Sequence, residues 1–298
     1  MKIGYPCINT TLSCTSAKTF RLASYSEERL IKTVSANLDC LEEILEYNRK
    51  KDILFFRISS DLIPFASHPI CKAKWEDIFR SRFECIGDRI RNYNMRVSMH
   101  PDQFVLLNSP RPDVVSNSTA ELLYHAKVLN LMKLDGSAKI QIHVGGVYGD
   151  KKEASRRFID RYNAVPEAIK ERLVIENDER LYSLSDCMAI NYETGIPILL
   201  DVFHHSILSD GISFADSLSL SGSTWSDEDG IPIVDYSTQQ EGARKGRHTD
   251  SIDLHNFTSF LEKSRPYNFD IMLEIKDKEK SAEAAIRVTR KDERFQVN

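Results

Sequence analysis

The 298-residue chain has no run of eighteen apolar residues, so no transmembrane helix is expected. Strand-like sequence starts almost at once, at Lys2-Ile3-Gly4-Tyr5-Pro6, so no signal peptide is expected. There is no Cys-x-x-Cys pair. The cysteines at Cys7, Cys14, Cys40, Cys71, Cys85 and Cys187 are scattered, which suits mostly reduced thiols in a cytoplasmic protein. Cys7 and Cys14 lie near each other, but a zinc site there would need two more sulfur or nitrogen partners. No Pro/Gly/Ser-rich linker divides the chain. Nor is it basic: a net charge of −4 gives no global support for nucleic-acid binding, although a local basic face can dominate at a groove.

What the chain does contain is eight strand-like runs, each followed by a helical segment. The strand candidates are Lys2–Pro6, Ile53–Ile58, Arg96–His100, Lys139–His143, Leu173–Glu176, Ile196–Val202, Ile231–Tyr236 and Phe269–Ile275. They are almost continuously apolar, the pattern of a parallel sheet covered on both faces. Helices are expected over Glu27–Asn48, Trp75–Asn94, Ser116–Leu134, Lys151–Lys170, Ser183–Thr194, Gly211–Leu220, Ser251–Glu262 and Ser281–Lys291. In the first, Leu30, Val34, Leu38, Leu41 and Leu45 recur three or four apart on one face. Eight βα units predict an α/β fold with one closed (β/α)8, or TIM, barrel spanning residues 1–298 as a single domain. The longest βα segments, Cys7–Ser24, Ser59–Lys74, Pro101–Val115 and Ser237–Asp250, would surround its mouth.

Five of the strands deliver His, Asp or Glu at or just past their downstream end: His100, His143, Glu176, Asp201 and Glu274. A buried strand has no internal use for such a residue, and one alone is usually a satisfied core or rim group. Five at the C-terminal face of one barrel, where barrel enzymes keep their active sites, predict a convergent metal site. His204, His248 and Asp235 add candidates, enough for two or three divalent ions if carboxylates bridge. Ions roughly 3.5–4 Å apart are typical of phosphoryl hydrolysis. The competing reading is a sugar isomerase on the same barrel, with one or two ions. His68, in the loop after strand two, could be a site residue or a plain loop histidine. His205 competes with His204 for the mouth, and His125 and His255 read as packing or surface residues. Arg244, Lys245 and Arg247 form a basic run beside His248 that could meet phosphate, as could Lys276, two residues after Glu274.

Several stretches resemble the UV damage endonucleases. They are Gly4-Tyr5-Pro6-Cys7-Ile8-Asn9, Arg57-Ile58-Ser59-Ser60-Asp61-Leu62-Ile63-Pro64, Ser98-Met99-His100-Pro101-Asp102-Gln103-Phe104, Ile142-His143-Val144-Gly145-Gly146, Ile175-Glu176-Asn177-Asp178, Asp201-Val202-Phe203-His204-His205 and Met272-Leu273-Glu274-Ile275-Lys276-Asp277-Lys278-Glu279. The likeness runs from residue 3 to about residue 290. It implies a TIM barrel like that of endonuclease IV, with a trinuclear site usually assigned as manganese; zinc and magnesium are the alternatives. It implies a nick in double-stranded DNA immediately 5′ of a UV photoproduct; the rivals to that reading are an abasic-site endonuclease and a non-catalytic protein that binds damaged DNA. By resemblance, His100, His143 and Glu176 hold one ion, Glu176, Asp201 and Glu274 a second, and His204 and His248 contribute to a third. Glu176 and Glu274 are the carboxylates on which catalysis would rest, with Lys276 and a rim histidine, His68, beside them. Tyr5 and Asn9 match DNA-facing positions, and Gln103 and Phe104 match a pair pushed into the duplex. Two departures stand out. Where many members carry Lys-x-His on strand seven, this chain has Ile233-Val234-Asp235, so a carboxylated lysine is not expected and Asp235 would serve as an oxygen ligand. Phe104 stands where some relatives have tyrosine.

Overall fold

In the computed structural model, which describes residues 1–297, eight parallel strands close into a barrel in sequence order. They are β1 (Ile3–Cys7), β2 (Phe55–Ile58), β3 (Arg96–Met99), β4 (Lys139–His143), β5 (Leu173–Glu176), β6 (Ile198–Asp201), β7 (Ile233–Tyr236) and β8 (Asp270–Leu273). β1 pairs with β2 on one side and with β8 on the other, which seals the ring. All eight expected strands are present, most of them shorter than expected at the N-terminal end.

The apolar strands hide an alternation. Ile175, Ile198, Leu200, Val234, Ile271 and Leu273 join the large core between sheet and helices. Phe55, Val174, Leu199, Ile233 and Met272 form a second, smaller cluster. Because successive side chains of a strand point to opposite faces, the smaller cluster is the layer inside the barrel. Gly4 belongs to this crowded layer: a Cβ there would run into the Phe55 carbonyl oxygen. Two residues further along each inward row stand Arg57, Glu176, Asp201, Asp235 and Glu274, so the apolar layer is the floor of a polar one.

The helices follow their expected faces. Over Glu27–Lys50, Leu30, Val34, Leu38, Leu41 and Leu45 are all fully buried, and each such leucine contributes about 1.5–3 kcal/mol by leaving water. Ser26 caps this helix by accepting from the Arg29 backbone N–H. The helix expected over Lys151–Lys170 is broken into Lys151–Ala164 and Glu167–Lys170. Pro166 forces Val165 into an extended conformation and interrupts the turn. The helix expected from Ser116 begins earlier, with Pro112 in the first turn, where a missing N–H costs nothing. A short helix, Val202–Ile207, was not anticipated; Asp201 caps it through the His204 backbone N–H at 2.7 Å.

Most of the cysteines are free, as expected, with one pair as the exception. Cys14 and Cys40 form a disulfide, because the loop after β1 folds back on the Glu27–Lys50 helix; Cys7, Cys71, Cys85 and Cys187 are free. Among the described residues no helix is long and apolar enough to cross a membrane.

Candidate metal centre at the barrel mouth

The C-terminal ends of β3 to β8 bring His100, His143, Glu176, Asp201, Asp235 and Glu274 together, joined by His204 and His248 from the segments beyond. Three triads place their ligand atoms within 4.8 Å of one another: His100–His143–Glu176, Glu176–Asp201–His204 and Asp201–Asp235–Glu274. Glu176 lies between the first two. Its Oε2 is 3.6 Å from His100 Nε2 and 3.7 Å from His143 Nε2, and its Oε1 is 3.2 Å from His204 Nδ1. A carboxylate with one oxygen toward each neighbour has the layout of a bridge.

The imidazoles are oriented by the backbone. His100 Nδ1 is 2.9 Å from the Pro101 carbonyl, His204 Nδ1 is 3.1 Å from that of Asn177, and His248 Nδ1 is 2.8 Å from that of Glu274. A carbonyl oxygen only accepts, so each Nδ1 carries a proton and Nε2 is the nitrogen left to bind a metal; in His204 that nitrogen faces Glu179. That is how metal-binding histidines are held in general. Asn177 buttresses Asp201 from both sides, accepting from its N–H at 2.9 Å and donating to its carbonyl at 3.0 Å.

The charges do not balance. Four carboxylates (Glu176, Asp201, Asp235, Glu274) face one permanent cation, Arg57 on β2. Burial opposes ionisation of Glu176, but His143, His100 and His204 outweigh it and hold the carboxyl well below the usual range. Burial pushes Asp201 up to about 8 against the pull of His204, with Glu176 and Glu274 adding to the rise. His204 is raised to about 11: burial disfavours its charge, but Asp201 and Glu176 more than compensate. Burial also raises Glu274, yet Arg57 brings it down to about 2. Asp235 stays well above the ordinary range through burial, despite Arg57. These carboxylates cannot all be ionised without further positive charge. Asp201 Oδ2 and His143 Nδ1 are buried without a partner. Imidazole nitrogens, carboxylate oxygens, an orphaned buried oxygen and excess negative charge together fit divalent cations.

Above the cluster opens a cavity of about 600 Å³, lined by Arg57, His100, Gln103, Phe104, His143, His248, Glu274 and Lys276 among others. Phe104 is 75% exposed and also lines a neighbouring cleft of about 330 Å³ with Asp61, Phe65 and Glu121. Gln103 and Phe104 thus stand at the rim, free to meet a ligand. Arg244, Lys245 and Arg247 are exposed on a loop closed by the Gln239–His248 bridge. Gln239 anchors that loop, accepting from Gly246 N–H at 2.9 Å and donating to the Arg244 carbonyl at 3.0 Å.

Other expected site residues lie elsewhere. Tyr5 is fully buried; its hydroxyl donates to Asn48 at 2.7 Å and accepts from Asn9 at 2.8 Å. Asn9, also buried, accepts from the Thr11 and Leu12 N–H groups at 2.9 and 3.0 Å. Both therefore shape the loop after β1 rather than face a ligand. Lys276 lines the cavity but pairs with Asp250 at 2.5 Å, not with the carboxylate cluster. His68 is exposed, with Nδ1 accepting from the Ile70 N–H at 3.0 Å, and does not line the mouth cavity. His205 turns away to the Ile212 carbonyl at 3.1 Å. His125 is fully buried, and burial lowers its pKa to about 4, which makes it a packing residue.

Sequence reasoning missed Arg57 and Gln141. Gln141 Nε2 donates to Glu176 at 2.5 Å and to Asp235 at 2.7 Å, tying two carboxylates together. The signal was available: Arg57 and Gln141 occupy the inward register that the ligand residues share. Glu179 was missed as well; its Oε2 is 3.8 Å from His204 Nε2.

The family model described as "UV-endonuclease UvdE" matches residues 1–296. A UV DNA damage endonuclease of Clostridium perfringens is 40% identical over 284 residues, covering 95% of this chain and 69% of that protein. The crystal structure of SacUVDE superposes with a TM-score of 0.93 at 46% identity, covering 97% of this chain and 98% of that one. Endonuclease IV from Thermus thermophilus, at 14% identity and a TM-score of 0.55 over 84% of this chain and 92% of that one, shares the fold alone. With a matching model along almost its whole length and close relatives of that name, the chain belongs to the UV-endonuclease UvdE family.

Proposed function

We propose that this chain is a DNA-repair endonuclease that nicks the phosphodiester immediately 5′ of UV photoproducts. The substrates are cyclobutane pyrimidine dimers and 6-4 photoproducts in double-stranded DNA, with abasic sites as a secondary substrate. The products are a 3′-hydroxyl and a 5′-phosphate on the lesion side. One observation carries the reading: imidazoles and an excess of buried carboxylates converge beneath an open cavity, in a chain of this family.

His100, His143, Glu176, Asp201, His204, His248 and Glu274 would hold two to three divalent ions, manganese before zinc or magnesium. When bound, such ions supply Lewis acidity at phosphate oxygens and activate water. The chain's own part is positioning. Glu176 presents one oxygen to each side of the cluster, and Glu274 lies between Arg57 and His248. Arg244, Lys245, Arg247 and Lys276 would meet backbone phosphates, and His68 would face the substrate from the rim. A photodimer stacks and pairs poorly, so extruding it costs less than the few kcal/mol needed for an intact nucleotide. Gln103 and the exposed Phe104 ring would fill the gap, replacing stacking worth about 1–3 kcal/mol per base. The reading is completed by a monomeric, single-domain, cytoplasmic enzyme over residues 1–298 with no obligate protein partner.

The test is a labelled duplex with one photodimer, incubated with protein and Mn²⁺, with and without EDTA. A single cut immediately 5′ of the lesion, lost with EDTA, is expected. Cutting of undamaged duplex at the same rate, or preferred cutting at an abasic site, would contradict the lesion assignment.

A further inference from the structure

Three ligand triads meet in the mouth, and one of them already holds a cation. Two triads contain histidine; the third, Asp201–Asp235–Glu274, contains none. Arg57 reaches into that third triad from the opposite wall. Its Nη2 donates to both oxygens of Asp235, at 2.7 and 2.9 Å, and its Nη1 donates to Glu274. Asp235 Oδ2 also accepts from Gln141 Nε2 at 2.7 Å. Asp235 is fully buried and Arg57 is 2% exposed, so neither group finds another partner in water.

A guanidinium does not lose its proton in proteins, so this positive charge is permanent. An ion bound to Asp235 would share an oxygen that already faces Nη2, a few ångströms from a fixed like charge in a dry site. The two histidine-containing triads face no permanent like charge, and in the first His100 leaves Nε2 toward Glu176. Two residues before Asp235, Ile233 sits in the apolar floor with Phe55 and Met272 and offers no donor atom.

We infer that Arg57 is a built-in cation that removes Asp235 from the ligand set, so that the mouth binds two divalent ions rather than three. Arg57 is then a positioning residue: it fixes Asp235 and one oxygen of Glu274 and leaves the other Glu274 oxygen to face the cluster, 3.9 Å from His248. The inference rests on the reading of the mouth as a metal centre.

The experiment is equilibrium titration of the full-length protein with Mn²⁺, free ion being followed by electron paramagnetic resonance. Crystals of the loaded protein locate the ions by anomalous scattering. The wild type is expected to take two ions, neither at ligand distance from Asp235. Asp235→Asn should keep both, with an affinity loss no larger than the roughly tenfold to hundredfold typical of supporting groups, whereas loss of a true ligand should cost an ion or more than that. Arg57→Met should take up a third ion at Asp235, and the double variant Arg57→Met/Asp235→Asn should return to two. A third ion in the wild type, an ion on Asp235, or a large affinity loss in Asp235→Asn overturns the inference while leaving the metal centre standing. No bound Mn²⁺ at all would overturn both. If Arg57→Met fails to fold, the wild type and Asp235→Asn still decide.

Discussion

The barrel has buried charges at both ends, and the two ends are solved differently. At the bottom, Arg96 at the start of β3 pairs across the barrel with Asp270 of β8 at 3.0 Å, and its guanidinium lies over Trp225. Beside it, Lys139 at the start of β4 pairs with Asp229 and donates to the Glu171 carbonyl at 2.9 Å. Arg96 and Lys139 each have their own carboxylate, and neighbouring Arg172 is held by Asn130 and backbone carbonyls, so this end is closed by its own partners. At the top, Arg57 and the charged His204 answer four carboxylates, and the surplus faces a cavity. Both ends carry strong, short ion pairs, so an ion pair by itself does not mark a site. An unbalanced, open cluster does.

Breaking each end should therefore give a different phenotype. The largest effect belongs to Glu176→Ala at the top. It is expected to lower nicking of lesion duplex by more than about a hundredfold, together with much of the bound metal. Rates near wild type would remove Glu176 from the site. At the bottom, Asp270→Ala leaves the Arg96 charge buried and unpaired. Denaturant unfolding should register a loss of about 3–5 kcal/mol, with metal content per folded chain unchanged.

Metal removal sharpens the contrast further, because the cluster at the top carries groups that titrate across the neutral range. Asp201, raised by burial to about 8, favours the folded state while protonated. Its contribution is present below its unfolded value and declines as pH rises from about 4 to about 8. His204, held up to about 11 against burial by Asp201 and Glu176, declines in the same direction above its unfolded value of 6.5. The chelated protein should thus melt at a lower temperature at pH 8 than at pH 5, and Asp201→Asn should flatten the difference. A melting temperature that climbs from pH 5 to pH 8 would contradict the charge account. The smallest effect concerns the rim. Gln103→Ala with Phe104→Ala should slow cleavage of lesion duplex by about tenfold, in line with lost stacking, and leave metal content intact. Full activity in that double variant would count against the wedge.

How far these features were legible depends on their periodicity. The eight strands and most helices follow from apolar spacing, and the ligands from their place at strand ends. The inside of the barrel was harder to read. Strands apolar on both faces conceal which residues point inward, so Arg57 looked like part of a strand rather than the centre of a charge network. Tyr5 and Asn9 misled for the opposite reason: a motif places them near the mouth, but their mutual hydrogen bond is spent on the loop. The Cys14–Cys40 bridge joins residues 26 apart in sequence, and no spacing rule announces it. Helix breaks at Phe79 and Val165 reflect local backbone geometry that a hydrophobic face does not encode.

The central claim is that the negative surplus at the mouth exists to hold divalent cations. Thermal melting at pH 8 with and without Mn²⁺ tests it most directly, in the wild type and in Glu176→Gln/Glu274→Gln. Wild-type protein with Mn²⁺ at about a hundred times its dissociation constant should gain about 2.7 kcal/mol of stability. The double variant should gain almost nothing from Mn²⁺. An equal Mn²⁺ gain in both proteins would contradict the account.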